Sequence, residues 1–486
     1  MEQETDMAAS ASPDLGLSKP PSLRIRAYRA GQWIIAAHGV SLALRFAGSL
    51  IMTRLLSPDA FGVMAIAASM QIMITLLSDI GLHQAVVQSS RGAERDFLRT
   101  AWSIQILRGG FIWLACALLS VGLMVANSLG WTAPNSVYAD ARLPWIFMAT
   151  ASTAAILGFQ SMKSISHNRN LDMRHLTIME IISSVIGLCF SAGVGWVTHS
   201  VWSFVIGGIA SALMTTIFSH VWLDGHSDRF GWEQAAISEL RRFGKWAMLS
   251  SASMAFSMNG DRFLLALWLS PAALGNYSIA SNLATLTEGI GNRLFSGLAF
   301  PALSEAARTD HARFLSVYFR MRWLADAAFV LMAGFLFSAG PTIVSIMYDP
   351  RYAAAGTMLQ YLSFSLLFNR YSLTINAYLA VGKQSYVAAT NYVQLASLFI
   401  LAPLLFYTYG VPGAIIGIAF HRCPSLLLQL LLNGKYGLNN LRLELAALAF
   451  WLIGYASGLI APYALDRWHQ YWPGLHFARA MATMLS

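Results

Sequence analysis

The chain has 486 residues, of which 56% are hydrophobic and only 11% charged, with a mean hydropathy of +0.54. That composition excludes a soluble globule, and apolar runs along almost the whole length leave no room for a separate soluble domain. A net charge of +9 would suit a nucleic-acid partner, unless the placement of the basic residues explains it.

Residues 1–28 read as a polar tail, with acids, serines and Pro20-Pro21 but no apolar core. The tail is therefore not expected to be a cleaved signal peptide, and the first span acts as its own insertion signal. Apolar runs of about 18 to 22 residues, long enough to cross a hydrocarbon layer of roughly 30 Å, then predict membrane helices. They lie near 33–52, 61–81, 103–127, 144–162, 176–197, 201–222, 246–268, 275–298, 325–347, 357–380, 386–408, 411–432 and 443–463. A fourteenth would have to fit into 475–486 beside Arg479, and that end is left open. Cys116, Cys189 and Cys423 fall in or beside these runs without disulfide or metal spacing, and read as packing residues.

With the N-terminus placed inside, 21 of the 32 Lys and Arg residues fall in inside segments, and only Arg54, Arg142, Arg351 and Arg467 fall outside. That asymmetry is the positive-inside pattern, so the basic excess reports topology and nucleic acid is not needed.

The stretch LSPDAFGVMAIA at 56–67 returns as LSPAALGNYSIA at 269–280, and the flanking Arg29, Gly31 and Trp33 fall on Arg242, Gly244 and Trp246 at the same offset of 213. Each copy carries a basic approach, an interfacial Trp, a span, a Ser-Pro turn with Gly four residues after the Pro, and a second span. Six spans separate the copies, so both enter the membrane from one side and the repeat is parallel. The expected fold is an all-α polytopic membrane protein with two parallel-repeat six-helix lobes around a central cavity, plus one or two extra C-terminal helices. The lobes are 29–222 and 242–432, joined by an inside linker at 223–241, with 433–486 holding span 13 and the open fourteenth.

GQW at 31–33, TRLLSPDAFG at 53–62, LLSDIGLHQAVVQ at 76–88 and LDMRHLTIMEI at 171–181 resemble bacterial Wzx-type polysaccharide flippases. These include exporters of the colanic acid and succinoglycan type, within the multidrug/oligosaccharidyl-lipid/polysaccharide exporter superfamily. The resemblance implies a MATE-like fold in the bacterial inner membrane with the N-terminus cytoplasmic. It implies movement of undecaprenyl-diphosphate-linked oligosaccharide to the periplasmic leaflet for exopolysaccharide or lipopolysaccharide synthesis. A polysaccharide polymerase and a chain-length regulator would be its downstream partners.

Seven basic residues remain inside spans or uncertain ends: Arg45, Arg108, Arg262, Arg293, Arg370, Arg422 and Arg479. An Arg at a helix centre costs about 2.5 to 3.5 kcal/mol, so each needs a partner or a water-filled cavity. Arg108, Arg422 and Arg479 sit near span ends and are expected at the membrane edge. Arg45 and Arg262 lie about 18 and 24 Å above their interfacial Trp residues, at 1.5 Å per residue. Position 262 corresponds to Ser49, one turn after Arg45, so the two arginines should line equivalent faces of paired helices. Arg45, Arg262, Arg293 and Arg370 are the candidate diphosphate-binding residues, because a guanidinium matches phosphate oxygens and does not deprotonate. Asn259, Asn282, Asn369, Tyr371, Asn376 and Tyr378 are available to sugars.

Asp79, Asp261 and Glu288 either couple transport to a proton or sodium gradient or balance nearby arginines, with Arg293 the expected partner of Glu288. Glu180 and His38 read as packing residues. No GxxxxGK[ST], HExxH, CxxC or GxSxG pattern occurs, which argues against an ATPase, a catalytic metal or a hydrolase and leaves no cofactor expected. The competing readings are a cation-coupled multidrug exporter, which needs an acid-lined cleft, and a glycolipid polymerase or ligase, which usually needs a larger outside loop.

Overall fold

The computed structural model describes residues 23–225 and 228–471, with side chains for all of these except 23–31, 34, 35, 37, 245–247, 249, 250, 290, 292–297 and 461–471. The open fourteenth span, Arg479 and the residues before 23 lie outside the described residues, as does the Arg293 side chain.

Described in chain order, the helices of the first half are α1 (Leu23–Leu55), α2 (Pro58–Leu77), α3 (Leu82–Gln88), α4 (Arg95–Ser128), α5 (Leu143–Gly158), α6 (Lys163–Arg169), α7 (Met173–Thr198) and α8 (Trp202–Val221). The second half holds α9 (Gln234–Trp268), α10 (Pro271–Thr309), α11 (His311–Met347), α12 (Ala354–Ser363), α13 (Leu366–Asn369), α14 (Ser372–Ala380), α15 (Gln384–Phe420), α16 (Cys423–Gly434) and α17 (Leu441–Tyr471). Each of the thirteen expected spans falls on one of these helices or on a broken run of them. Span 10 is the run α12 to α14, and spans 11 and 12 are divided where Gly410 (φ 66°) breaks α15 between Pro403 and Pro412. Among the described residues, seven helices are by length and composition apolar enough to cross a membrane, eight if α5 and α6, bent by 66°, count as one. Helices α9 and α10 are not among the seven, and they carry Asn259, Asp261, Arg262, Asn276, Asn282 and Glu288.

The two copies of the repeated turn pack against each other. A Cβ placed on Gly62 of α2 would lie 1.8 Å from the Pro271 carbonyl oxygen, and one on Gly275 of α10 would lie 1.9 Å from that of Pro58. Only two glycines allow the helices to cross this closely, each backbone pressed on the first turn of the other. The same end carries a second reciprocal contact. A 3-10 turn at Val137–Ala139, between α4 and α5, reaches the end of α9: the Val137 N–H donates to the Leu269 carbonyl (3.0 Å) and the Tyr138 hydroxyl to that of Phe263 (3.4 Å). A 3-10 turn at Pro350–Tyr352, between α11 and α12, reaches the end of α1: the Tyr352 hydroxyl donates to the Leu56 carbonyl (2.8 Å) and Arg351 to that of Arg54 (3.2 Å). Val137 and Pro350 are 213 positions apart, the offset of the repeated turn. This Ser-Pro end of the bundle is therefore sealed.

Toward the opposite end the halves are not arranged alike. The first turns of α9, expected within the inside linker, are helical from Gln234 and bury Ala236 and Leu240 among Phe97, Ala101 and Met162. Helix α9 runs along α2, and Ser251 donates to Asp79 (3.1 Å). The equivalent pair, α1 and α10, is not among the closely packed helix pairs of the described residues, while α1 lies along α7.

Gly62→Val or Gly275→Val should force α2 and α10 apart at the Ser-Pro end. We expect a cost of about 1 to 3 kcal/mol and faster labelling of an Ala65→Cys thiol from that side of the membrane. Unchanged melting and unchanged labelling would show that the close crossing does not seal this end.

Candidate functional site

Below the sealed turn, a cavity of about 460 Å3 opens between α1, α2, α7, α8, α9 and α10, so both halves line it. Arg45 and Ser49 project from α1 and Arg262 from α9, with Ser278 and Asn282 from α10. Arg45 is exposed to the cavity and has no hydrogen-bonding or ionic partner among the described residues. Arg262 is half-buried, and its Nε is buried without a hydrogen-bond partner. Two cations and no carboxylate line the cavity, whose remaining wall mixes serines with Leu44, Met52, Phe61, Met64 and Phe204. Beside Arg262, Asp261 accepts a hydrogen bond from the buried Tyr277 hydroxyl, which holds it to α10. Glu180, exposed on α7, sits one turn before Ser184 on the helical face that brings Ser184, Leu188 and Ser191 to the cavity. As an acid in an apolar run it was visible in the sequence, but its facing was not.

The other candidates lie elsewhere. Arg370 belongs to a network that joins α11, the α13–α14 break and α17. Its Nη2 is 2.5 Å from Glu444 Oε2 and its Nη1 3.5 Å from Asp326 Oδ2, while Arg322 donates to Asp326 (2.6 Å) and Glu444 (3.1 Å). The Tyr371 hydroxyl donates to Glu444 (2.9 Å), and its ring lies 3.9 Å below the Arg322 guanidinium. Arg322 and Asp326 are 4% and 1% exposed at the side chain and Arg370 11%, so three of the four charges are neutralised largely out of water, while Glu444, 30% exposed, closes the network at its edge. Sequence reasoning missed Glu444 because it stands at the head of span 13, and its partners are 122 and 74 residues away.

Glu288 accepts from Ser365 (3.0 Å) and lies 3.8 Å from Arg422, which also donates to Asn369. Arg422, expected at the membrane edge, is thus tied into the second half beside a small cavity of about 150 Å3 that Asn369, Tyr371 and Arg422 help to line. Asp79 lies 3.5 Å from Arg108, whose Nε and Nη2 donate to the Ser78 and Thr75 carbonyls (2.9 and 2.8 Å). Arg108 therefore caps the end of α2 and does not reach for headgroups. Of the residues set aside for sugars, only Asn282 reaches the large cavity; the Tyr378 hydroxyl, for example, is taken by Asn433 (2.7 Å).

Removing one member of the buried network strands the opposite charge, which costs about 3 to 5 kcal/mol. Glu444→Ala and Arg370→Ala should each lower the melting temperature, and the double variant should lose clearly less than the two effects added. Additive losses would show that these residues do not act as one network.

The family model for "Polysaccharide biosynthesis protein" matches residues 51–357, well over half of the chain. An uncharacterized membrane protein in the cps region of Klebsiella pneumoniae is 22% identical over 417 residues, covering 84% of this chain and 82% of that protein. The succinoglycan biosynthesis transport protein ExoT of Rhizobium meliloti (strain 1021) is 22% identical over 348 residues, covering 68% and 65%. The lipopolysaccharide biosynthesis protein WzxC of Escherichia coli (strain K12) is 20% identical over 307 residues, covering 61% and 59%. Among solved structures the fold is similar to the lipid II flippase MurJ in its inward closed conformation (TM-score 0.63, 14% identity, 88% of this chain and 99% of that one). It is also similar to an inward-facing multidrug resistance MATE family transporter (TM-score 0.58, 13% identity, 82% and 94%). The chain is a multi-pass membrane protein that belongs to the polysaccharide biosynthesis protein family.

Proposed function

We propose that the protein is a flippase that carries an undecaprenyl-diphosphate-linked oligosaccharide from the cytoplasmic to the periplasmic leaflet of the bacterial inner membrane by alternating access. The observation that carries this reading is the pair Arg45 and Arg262 in one cavity built by both halves under a sealed end, with no carboxylate among its lining residues and Glu180 one turn before Ser184 on the same face of α7. A diphosphate brings negative charge into a region of low dielectric, and two unsatisfied guanidinium groups supply the counter-charge and the planar donors that phosphate oxygens need. A volume of about 460 Å3 suits a headgroup and is too small for a polyprenyl tail. The tail would stay in lipid and pass between α1 and α10, while the headgroup rides in the cavity.

On this reading the two lobes are 29–222 and 242–432, the Ser-Pro end is periplasmic, and the structure faces inward. Of the three acids weighed for coupling, Asp79 is engaged by Arg108 and Glu288 by Arg422 and Ser365. Coupling to protons or sodium would then fall to Asp261, held by Tyr277 beside the cavity. A polymerase and a chain-length regulator would act on the delivered repeat unit. A cationic drug is disfavoured as cargo, because both fixed charges on the cavity wall would repel it.

Lipid-linked oligosaccharide should accumulate in the cytoplasmic leaflet of cells lacking the protein and of cells carrying Arg45→Ala with Arg262→Ala at normal expression. Arg45→Lys with Arg262→Lys should restore export in part, because charge is kept and the planar donor geometry is lost. Normal export by the alanine variant would remove the cavity assignment; absence of accumulation in the null strain would remove the substrate class.

A further inference from the structure

At the end of the bundle opposite the Ser-Pro turns, α6 stops at Arg169 and α7 starts at Met173, and the connection turns through Leu171 at φ +60°. A leucine rarely adopts that left-handed conformation, which costs on the order of 1 kcal/mol. The turn is held by the Leu171 N–H on the Asn168 carbonyl (3.0 Å) and the Asp172 N–H on the His167 carbonyl (2.9 Å). Its result is to set the Asp172 carboxylate between two imidazoles. Oδ2 lies 3.0 Å from His167 Nδ1 and 3.1 Å from His175 Nδ1, and Oδ1 lies 3.3 Å from the latter.

The far side of the His167 ring decides what these atoms can share. Its Nε2 is 3.1 Å from the Asp224 backbone carbonyl, which can only accept, so Nε2 carries the proton. In the neutral imidazole Nδ1 is then a bare lone pair, aimed at a carboxylate that also has only lone pairs. Two acceptors at 3.0 Å repel unless positive charge sits between them. A proton on His167 Nδ1 or a cation can supply that charge, whereas the neutral His175 ring can point its own N–H at the carboxylate. A single divalent cation satisfies all three groups.

The geometry points to a divalent transition-metal site, of the Zn2+ class, formed by His167 Nδ1, the Asp172 carboxylate and His175 Nδ1. The three ligand atoms lie within 4.8 Å of one another. The carboxylate oxygens lie 3.0 to 3.3 Å from the two histidine nitrogens, close to the roughly 3.4 Å between tetrahedral ligands set about 2.1 Å from a zinc ion. An imidazole whose second N–H is held by a backbone carbonyl is the usual way a protein orients a metal-binding histidine. Two nitrogens and one carboxylate favour Zn2+, Co2+ or Ni2+ over Mg2+ or Ca2+. The fourth position would face a polar cavity of about 520 Å3 that His167 and Asp172 help to line, where water can complete the shell. Arg95, Arg99 and Lys163 share that cavity with Asp224 and Asp228; Arg99 is turned to Asp96 (3.1 Å) and the Lys163 ammonium to the His220 carbonyl (2.9 Å). Because His167 also holds Asp224, a bound cation would clamp the α6–α7 corner to the segment that follows α8. The spacing H-x4-D-x2-H matches none of the common zinc patterns, so no local signal marks the site.

The test uses full-length protein purified in detergent on a tag that contains no histidine run, stripped with a chelator and titrated with Zn2+ and separately with Co2+. The expected result is one ion per chain at about micromolar affinity or better, with visible ligand-field bands for Co2+ and a higher melting temperature. Asp172→Asn and His175→Ala should weaken binding at least tenfold, by about the margin that ligand-shell changes produce, and lose the thermal shift. His83→Ala, an exposed histidine elsewhere, should change nothing. His175 is exposed, so its variant should keep the melting temperature of the stripped protein, which separates loss of a ligand from loss of fold. No saturable binding below about 100 µM, or equal binding by all variants, would overturn the site and leave an imidazolium–carboxylate cluster.

Discussion

Everything in the bundle depends on two glycines meeting two proline carbonyls. Gly62 and Gly275 bring α2 and α10 to backbone contact, and no side chain, however small, fits there without moving a helix. In a membrane such contact is where association energy is found, because lipid tails leave helices little hydrophobic reason to associate. The same two helices then line the cavity that opens beneath the crossing. The seal and the binding space are one geometric fact.

The cavity and the Arg322–Asp326–Arg370–Glu444 cluster are two solutions to one problem, the cost of charge in hydrocarbon. The cluster balances its charges internally and joins α17 to the second half, so it has nothing left to offer a ligand. Arg45 and Arg262 are left unbalanced, and that imbalance is stable only where water or a substrate can reach them. Counting buried arginines does not tell the two solutions apart. The arrangement of acids around them does.

Much of the fold was legible because its signals are local or periodic. Span length, the Ser-Pro turn and the offset of 213 needed only one pass along the chain, and all thirteen expected spans fall on helices. That offset also put Arg262 against Ser49 before any coordinates did, and both line the cavity. What stayed hidden depends on partners far away in sequence. The pairing of Asp79 with Arg108, of Glu288 with Arg422 and of Arg370 with Glu444 each joins separate helices, and nothing local marks the choice. The two 3-10 turns were hidden for another reason: Val137-Tyr-Ala and Pro350-Arg-Tyr occupy equivalent positions without sharing a residue.

Those turns carry a consequence for how the halves can part. Each belongs to one half and grips the first helix of the other, so neither half holds its own latch. Releasing only one would take the donors from its carbonyl acceptors while the glycine crossing still held α2 against α10. A half-released state gains nothing for what it gives up. Parting at this end would therefore have to release both turns and the glycine crossing together.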